Sequence, residues 1–87
     1  MSTQMLPEDL RPEVLAMAIE MEKQLRRNDD RGGWKGMEYD ELVARIHANL
    51  NDLYWAKRNG TWHAFQRTCA DIANFAMMLS DNHPFHP

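Results

Sequence analysis

Apolar residues recur every three or four positions along three stretches of this chain. In the first stretch they form one stripe, made of Val14, Met17, Ala18, Met21 and Leu25. This period is typical of an amphipathic helix with one buried face. Asp9 is a suitable N-cap residue, and Pro12 fits a helix only within its first turn. The run of asparagine, aspartate and glycine that begins at Asn28 predicts the end of this helix.

The second and third stretches show the same helical period. The second begins at about Glu38 and carries Leu42, Val43, Ile46, Leu50, Leu53 and Tyr54 on its stripe. Asn59 and Gly60 form a C-terminal signal. Thr61 is then predicted to cap a third helix, whose stripe consists of Trp62, Phe65, Cys69, Ile72, Ala76 and Leu79.

The C-terminal half of the third helix is apolar almost all round, because Phe75, Met77 and Met78 widen its stripe. A helix that is apolar on every side must be covered on every side, so we expect it to pack against a second copy of the chain. No stretch alternates with period two. The sequence therefore predicts an all-α, three-helix chain in one domain, 1–87, that assembles into an oligomeric four-helix-type bundle. Residues 1–8 would form an N-terminal arm and 83–87 a flexible tail.

Composition narrows the function classes. The 87 residues carry a net charge of −3, with acidic and basic residues interspersed, so there is no electrostatic footprint of nucleic-acid binding. No stretch approaches the roughly 20 apolar residues that span a bilayer, and we expect no membrane partner. Cys69 is the only cysteine and lies in an apolar pattern. This predicts a buried, reduced thiol and a cytoplasmic protein.

Two pairs of polar residues interrupt the apolar stripes. Asn49 and Asp52 lie three apart on the second helix, and Asp71 and Asn74 lie three apart on the third. Residues with this spacing share a helical face. If the two helices pack antiparallel, both pairs lie level, and four oxygen-bearing side chains converge as Mg²⁺ requires. The alternative is that these residues make buried polar contacts between helices.

Two strings in the sequence, "MEKQLRRNDDRGGWKGMEYDELVARI" and "CADIANFAMMLSDN", carry a resemblance to a known family. From Ala16 to Asn82 the chain resembles the MazG-like all-α nucleoside triphosphate pyrophosphohydrolases, in particular the short single-domain forms carried by bacteriophages. The resemblance implies dimers or tetramers built around four-helix units, with the third helix in the oligomer core. It also implies Mg²⁺-dependent conversion of an NTP or dNTP to the monophosphate and pyrophosphate.

The family's metal-binding motifs are only partly present. The motif E-E-x-x-E falls on "ANLND", which places Ala48, Asn49 and Asp52 at its acidic positions, and E-x-x-D falls on Thr68 and Asp71. Asn74 matches an asparagine that many relatives carry. The resemblance therefore implies a metal site of Asn49, Asp52, Asp71 and Asn74 that would bind Mg²⁺ or Mn²⁺ weakly, because neutral amides attract cations less than carboxylates do.

Two further groups of residues suggest binding surfaces. Positive charge and exposed glycine amides around the first loop predict a nucleotide or phosphate site; its candidates are Lys23, Arg27, Arg31, Trp34 and Lys35. Trp34 would stack on a base or, alternatively, close the end of the bundle. Tyr54, Trp55 and Trp62 lie near the turn between the second and third helices. They predict a protein-binding patch, with closure of the bundle end as the alternative.

Three hypotheses of function follow. The first is a catalytically silent MazG-like protein that binds a protein partner or sequesters a nucleotide, as a phage factor acting against a host system in the host cytoplasm. The second is an active Mg²⁺- or Mn²⁺-dependent pyrophosphohydrolase with a reduced site, which would take Glu20 or Glu22 as an additional ligand. The third is a structural assembly subunit that binds no nucleotide. The loss of acidic residues at the metal motif favours the first.

Overall fold

The computed structural model describes residues 5–29 and 33–85. Over these ranges the chain forms three α-helices, which are α1 (Pro12–Arg27), α2 (Tyr39–Asn59) and α3 (Trp62–Asn82), after a short 3-10 turn at Pro7–Asp9. The described residues form no strand, which confirms the all-α prediction. None of these helices combines the length and apolarity needed to cross a membrane.

The start of α1 differs from the sequence prediction. Arg11 occupies the N-cap position and makes no side-chain cap, while Pro12 is the first helical residue. The prediction of Asp9 as the N-cap is wrong, because its carboxylate instead accepts a hydrogen bond of 3.0 Å from the Leu6 amide within the 3-10 turn. The end of α1 is confirmed at Asn28, whose side-chain amide donates to the Gln24 carbonyl oxygen at 3.0 Å.

A tight turn joins α2 to α3. The Thr61 hydroxyl oxygen accepts a hydrogen bond of 3.1 Å from the Ala64 amide, which confirms the predicted cap. Gly60 closes α2 by donating its amide to the Ala56 carbonyl oxygen at 2.9 Å. A Cβ at Gly60 would lie 2.8 Å from that same oxygen, so only glycine fits this approach. Because the turn is so short, α2 and α3 form an antiparallel helical hairpin.

Helix α3 packs against both α1 and α2, and the core of the single chain is small. Its buried apolar residues are Leu42, Ala56, Ala70 and Met78. Cys69 carries a free thiol but is only partly buried, so the prediction of full burial is wrong for the single chain. On α1, Val14, Leu15 and Ile19 each expose 40% or more of their surface.

The last turn of α3 holds the segment between α1 and α2. The Trp34 indole donates a hydrogen bond of 3.1 Å to the Asp81 carboxylate, which also forms an ion pair with Lys35. The His83 ring lies 2.9 Å from the Met37 carbonyl oxygen and packs edge-on against Tyr39. The first residue of the predicted tail therefore has defined contacts, and the Trp34–Met37 segment is fixed against α3.

Candidate functional site

A cavity of about 340 Å³ lies where the end of α1, the 33–37 segment and the middle of α3 meet. Its volume is within the range of roughly 300–1,000 Å³ that small-molecule sites occupy. The apolar part of the lining consists of Leu25, Trp34, Met37, Phe75 and Met78, and the polar part consists of Gln24, Asn28, Asp29, Arg45, Asp71 and Asn74, with Gly33. The cavity thus combines aromatic surface with charged and amide groups.

Asn74 is the most buried polar residue of this lining, at 4% exposure. Its side-chain nitrogen donates to the Met21 carbonyl oxygen at 3.0 Å, so the amide links α3 to α1. Its side-chain oxygen is buried and accepts no hydrogen bond from the described residues. A buried acceptor without a partner costs about 1–3 kcal/mol, which a ligand N–H would recover.

Asp71 lies one turn before Asn74 and is half-buried. Burial raises its pKa above the ordinary value, because it penalises the charged form of the carboxylate. A hydrogen bond from the Gln24 side chain and the charges of Arg67 and Arg27 act in the opposite direction, and the charge of Asp52 raises the pKa slightly. Gln24 itself is 6% exposed, so this hydrogen bond belongs to the α1–α3 interface.

The structure places the two halves of the predicted metal set in different surroundings. Asp71 and Asn74 contact α1 and line the cavity, whereas Asn49 and Asp52 on α2 do not line it. Asp52 is exposed, and the Asn49 side-chain nitrogen is buried with no acceptor among the residues that the structure describes. In the motif position before Asp71, the Thr68 hydroxyl donates to the Ala64 carbonyl oxygen at 2.9 Å.

These residues do not fit a multi-ion magnesium site of the kind that the resemblance implies. Within residues 5–29 and 33–85, no three His, Cys, Asp or Glu side chains lie close enough together to hold one ion. Two guanidinium groups, those of Arg67 and Arg27, also act on Asp71 and offset the charges of the two aspartates. A weak site for Mg²⁺ or Mn²⁺ at the four predicted residues stays a prediction from the sequence.

The residues predicted to bind phosphate are only partly brought together. Trp34 lines the cavity, and Arg27 is close enough to Asp71 to influence its pKa. Lys35 is instead paired with Asp81, and Lys23 forms an exposed ion pair of 3.2 Å with Glu20 on its own helix. Arg31 lies outside the described residues.

Four polar residues of the cavity lining, Gln24, Asn28, Asp29 and Arg45, were not among the predicted site residues. Gln24 lies three positions after Met21 on the apolar stripe of α1, so its polar side chain on a buried face was a usable signal. Arg45 lines the cavity from α2, and its sequence neighbours give no indication of this position.

The three aromatic residues of the predicted partner patch are exposed, by 74% at Tyr54, 64% at Trp55 and 69% at Trp62. In the single chain they therefore do not close the end of the bundle. The Trp62 ring stacks on Phe65, with ring centres 5.8 Å apart, beside a second cavity of about 250 Å³. This second cavity is lined by Ala56, Lys57, Gly60, Thr61, Trp62 and Phe65.

No protein-family model, curated protein or solved structure matches this chain. Membership of the MazG-like family therefore stays a prediction from the two quoted strings. The contacts around Asp71 and Asn74 supply chemistry that does not depend on that resemblance.

Proposed function

We propose that this chain is a catalytically silent MazG-like protein that binds a nucleotide in the α1–α3 cavity without cleaving it. One observation carries the proposal. The cavity joins an aromatic wall to Asn74, whose buried side-chain oxygen has no hydrogen-bond donor from the described residues. Small-molecule sites combine mostly apolar walls with a few such polar groups.

The base is the part of a nucleotide that suits the interior of the cavity. Trp34 and Phe75 supply aromatic surface for stacking. The Asn74 oxygen and the Asp71 carboxylate are acceptors. Every nucleobase, when attached to ribose, carries an amino group or a ring N–H on its hydrogen-bonding edge. Burial would make such hydrogen bonds selective, because a mismatched ligand leaves a polar group unpaired.

The phosphates suit the cationic side of the cavity. Arg45 lines the cavity and is exposed, so its guanidinium is accessible to solvent as well as to a ligand. Arg27, at the end of α1, adds a second guanidinium near Asp71. Guanidinium groups bind phosphate oxygens through paired hydrogen bonds and need no metal ion to do so.

The absence of catalysis is proposed from the acidic groups that remain. Hydrolysis of a triphosphate by this family's chemistry would need metal ions to offset the substrate charge and to activate water. Asp71 is engaged by Gln24, and Asp52 is exposed on α2 outside the cavity. Even with Asp29, which also lines the cavity, these carboxylates supply too little negative charge in one place to hold a pair of divalent ions, since no three acidic, histidine or cysteine side chains of the described residues come together.

Self-association is part of the same proposal. Three exposed apolar residues on α1, Val14, Leu15 and Ile19, and the small core of the single chain support a homodimer or a higher oligomer. The half-buried Cys69 thiol also supports the reducing environment of a cytoplasm.

The test is calorimetric titration of the full chain with a panel of NTPs and dNTPs, in EDTA and then in Mg²⁺ or Mn²⁺, with pyrophosphate release measured in parallel. We expect binding in EDTA and no pyrophosphate with either ion. Asn74→Leu should lower the affinity by about tenfold or more, since it removes the buried acceptor. Arg26→Ala is the matched control, because Arg26 is exposed on the same helix and lies outside the cavity lining.

The opposite outcomes are equally specific. Pyrophosphate release that disappears in Asp71→Ala would replace the proposal with an active enzyme. If neither binding nor turnover is observed, the hypothesis of a structural assembly subunit remains. Equal affinity of the wild type and of a folded Asn74→Leu variant would show that the nucleotide does not occupy this cavity.

A further inference from the structure

We infer that the end of the α2–α3 hairpin is a docking surface for an acidic segment of another protein, anchored by one apolar side chain. This hairpin-end surface consists of Trp55, Lys57, Arg58, Trp62 and Phe65. It contains no residue of the nucleotide cavity, so it does not depend on the function proposed for that cavity. Charge, shape and exposure each contribute to the inference.

The charge at this end of the molecule differs from that of the rest. Residues 53–70 contain Lys57, Arg58 and Arg67 but no aspartate or glutamate, although the chain has 13 acidic residues and a net charge of −3. Neither Lys57 nor Arg58 forms an ion pair with a described residue. The cations of the hairpin end are therefore available to an acidic partner.

The shape provides a place for the anchor. The cavity of about 250 Å³ beside the Trp62–Phe65 stack has Ala56 and Gly60 in its lining and Lys57 on one side. An apolar side chain could enter it while flanking carboxylates reach Lys57 and Arg58. Exposed tryptophan beside cationic residues is also the composition in which binding energy concentrates at protein interfaces.

The helix dipole explains only part of this arrangement. Basic residues in the last turn of a helix are favoured by the partial negative charge there, which accounts for Lys57 and Arg58. The dipole gives no reason for Trp55 and Trp62 to expose 64% and 69% of their surface in the same place. Leaving such large apolar groups in water is unfavourable unless a partner covers them.

A protein segment suits this surface better than nucleic acid does. Few cations are present, the remainder of the chain is acidic, and long-range repulsion would oppose a polyanionic backbone. The concave site next to Trp62 is a single depression of about 250 Å³, whereas binding of single strands needs a basic groove that follows several nucleotides.

The test uses three fluorescent peptides with the same central leucine, flanked by glutamates, glutamines or lysines, and titrated with the full chain. We expect the glutamate peptide to bind about tenfold more tightly than the glutamine peptide at low salt, and less tightly as salt rises. Trp62→Ala and the double change Lys57→Glu with Arg58→Glu should each weaken it by about tenfold or more. Circular dichroism confirms that each variant is folded.

A matched control keeps the change in charge but moves it. Lys23→Glu with Arg26→Glu alters the net charge equally on exposed positions of α1 and should leave the peptide affinity within about twofold. The inference is overturned if glutamate and glutamine peptides bind alike, or if Trp62→Ala retains full binding. It is also overturned if a dT oligonucleotide binds to this surface in place of the peptides. If Trp62→Ala dissociates a homo-oligomer in sedimentation, the surface is an interface between copies of the chain, and the inference is overturned as well.

Discussion

The Asp71 carboxylate has a pH-dependent effect on stability. Its pKa is raised in the folded chain by burial, so between its ordinary pKa and the raised value the folded state binds more protons than the unfolded state. Under these conditions the free energy of unfolding falls as the pH increases through that window. Above the window the charged carboxylate destabilises the fold, which is a typical cost of a residue placed for binding.

We therefore expect Asp71→Asn to raise the melting temperature at neutral pH. The gain in the free energy of unfolding should stay below about 1 kcal/mol, because the group is half-exposed. The asparagine side chain keeps a hydrogen bond with Gln24 and removes the buried charge. Thermal melts from pH 3 to pH 7 should show a smaller pH dependence in the variant. Asp40→Asn, at an exposed position whose charge does not act on Asp71, is the control, and a lower melting temperature for Asp71→Asn at neutral pH would contradict the prediction.

Single residues also show how far the sequence predicts the site. The spacing of Asp71 and Asn74 identified two polar residues of the cavity, because a shared helical face follows from spacing alone. Their contacts did not follow from it, since the rotation of α1 about its axis determines that Gln24 and the Met21 carbonyl oxygen face them. The sequence predicted that Lys35 binds phosphate because of its charge. In the structure Lys35 pairs with Asp81, which lies 46 residues further along the chain, so sequence spacing gave no indication of this pair.

At the scale of elements, the α2–α3 turn depends on one glycine. A Cβ at Gly60 would meet the Ala56 carbonyl oxygen at 2.8 Å, so Gly60→Ala must displace the backbone of the turn. We expect a loss of about 1–3 kcal/mol in the free energy of unfolding, measured by urea denaturation. Gly36→Ala is the matched control, because no atom of the described residues lies within 4 Å of a Cβ there, and its effect should be small.

The Trp34–Met37 segment depends on the last turn of α3. Hydrogen bonds from Lys35 and Trp34 hold the pKa of Asp81 below its usual range. The carboxylate therefore stays charged at mildly acidic pH, and its contacts with the segment weaken only as the pH falls through that lowered pKa. Asp81→Asn should release the segment and speed hydrogen exchange at the Trp34 indole N–H, observed by NMR. Asp40→Asn, an exposed change on α2, should not alter this exchange.

The helices themselves were predictable because period and end signals agree. Thr61 and Gly60 fix the hairpin locally, and both were identified from the sequence. The start of α1 was not predicted correctly, because Asp9 and Pro12 compete as start signals. Asp9 is used by the Leu6 amide in a separate 3-10 turn, and the fixed backbone of Pro12 then begins the helix without a side-chain cap.

Exposed apolar residues on α1 predict that the whole molecule self-associates. Val14, Leu15 and Ile19 remain 40–51% exposed, and Leu15 and Ile19 lie outside the stripe that faces the single-chain core. Ile19→Asp should shift the full chain towards monomer in analytical ultracentrifugation, since burying a charge in an apolar interface is costly. Glu13→Ala on the same helix is the control, and an unchanged sedimentation profile in Ile19→Asp would place any self-interface elsewhere.

Contacts between α3 and the Trp34–Met37 segment join the α1–α3 cavity to the C-terminal end of the last helix. Trp34 and Met37 line the cavity on one side and are bonded to Asp81 and His83 on the other. A ligand that orders this wall therefore also opposes fraying of the final turn of α3, and by reciprocity a looser final turn weakens the ligand. Amide exchange near Asn82 would then report occupancy of a cavity that is lined by Asn74, two turns earlier in the same helix.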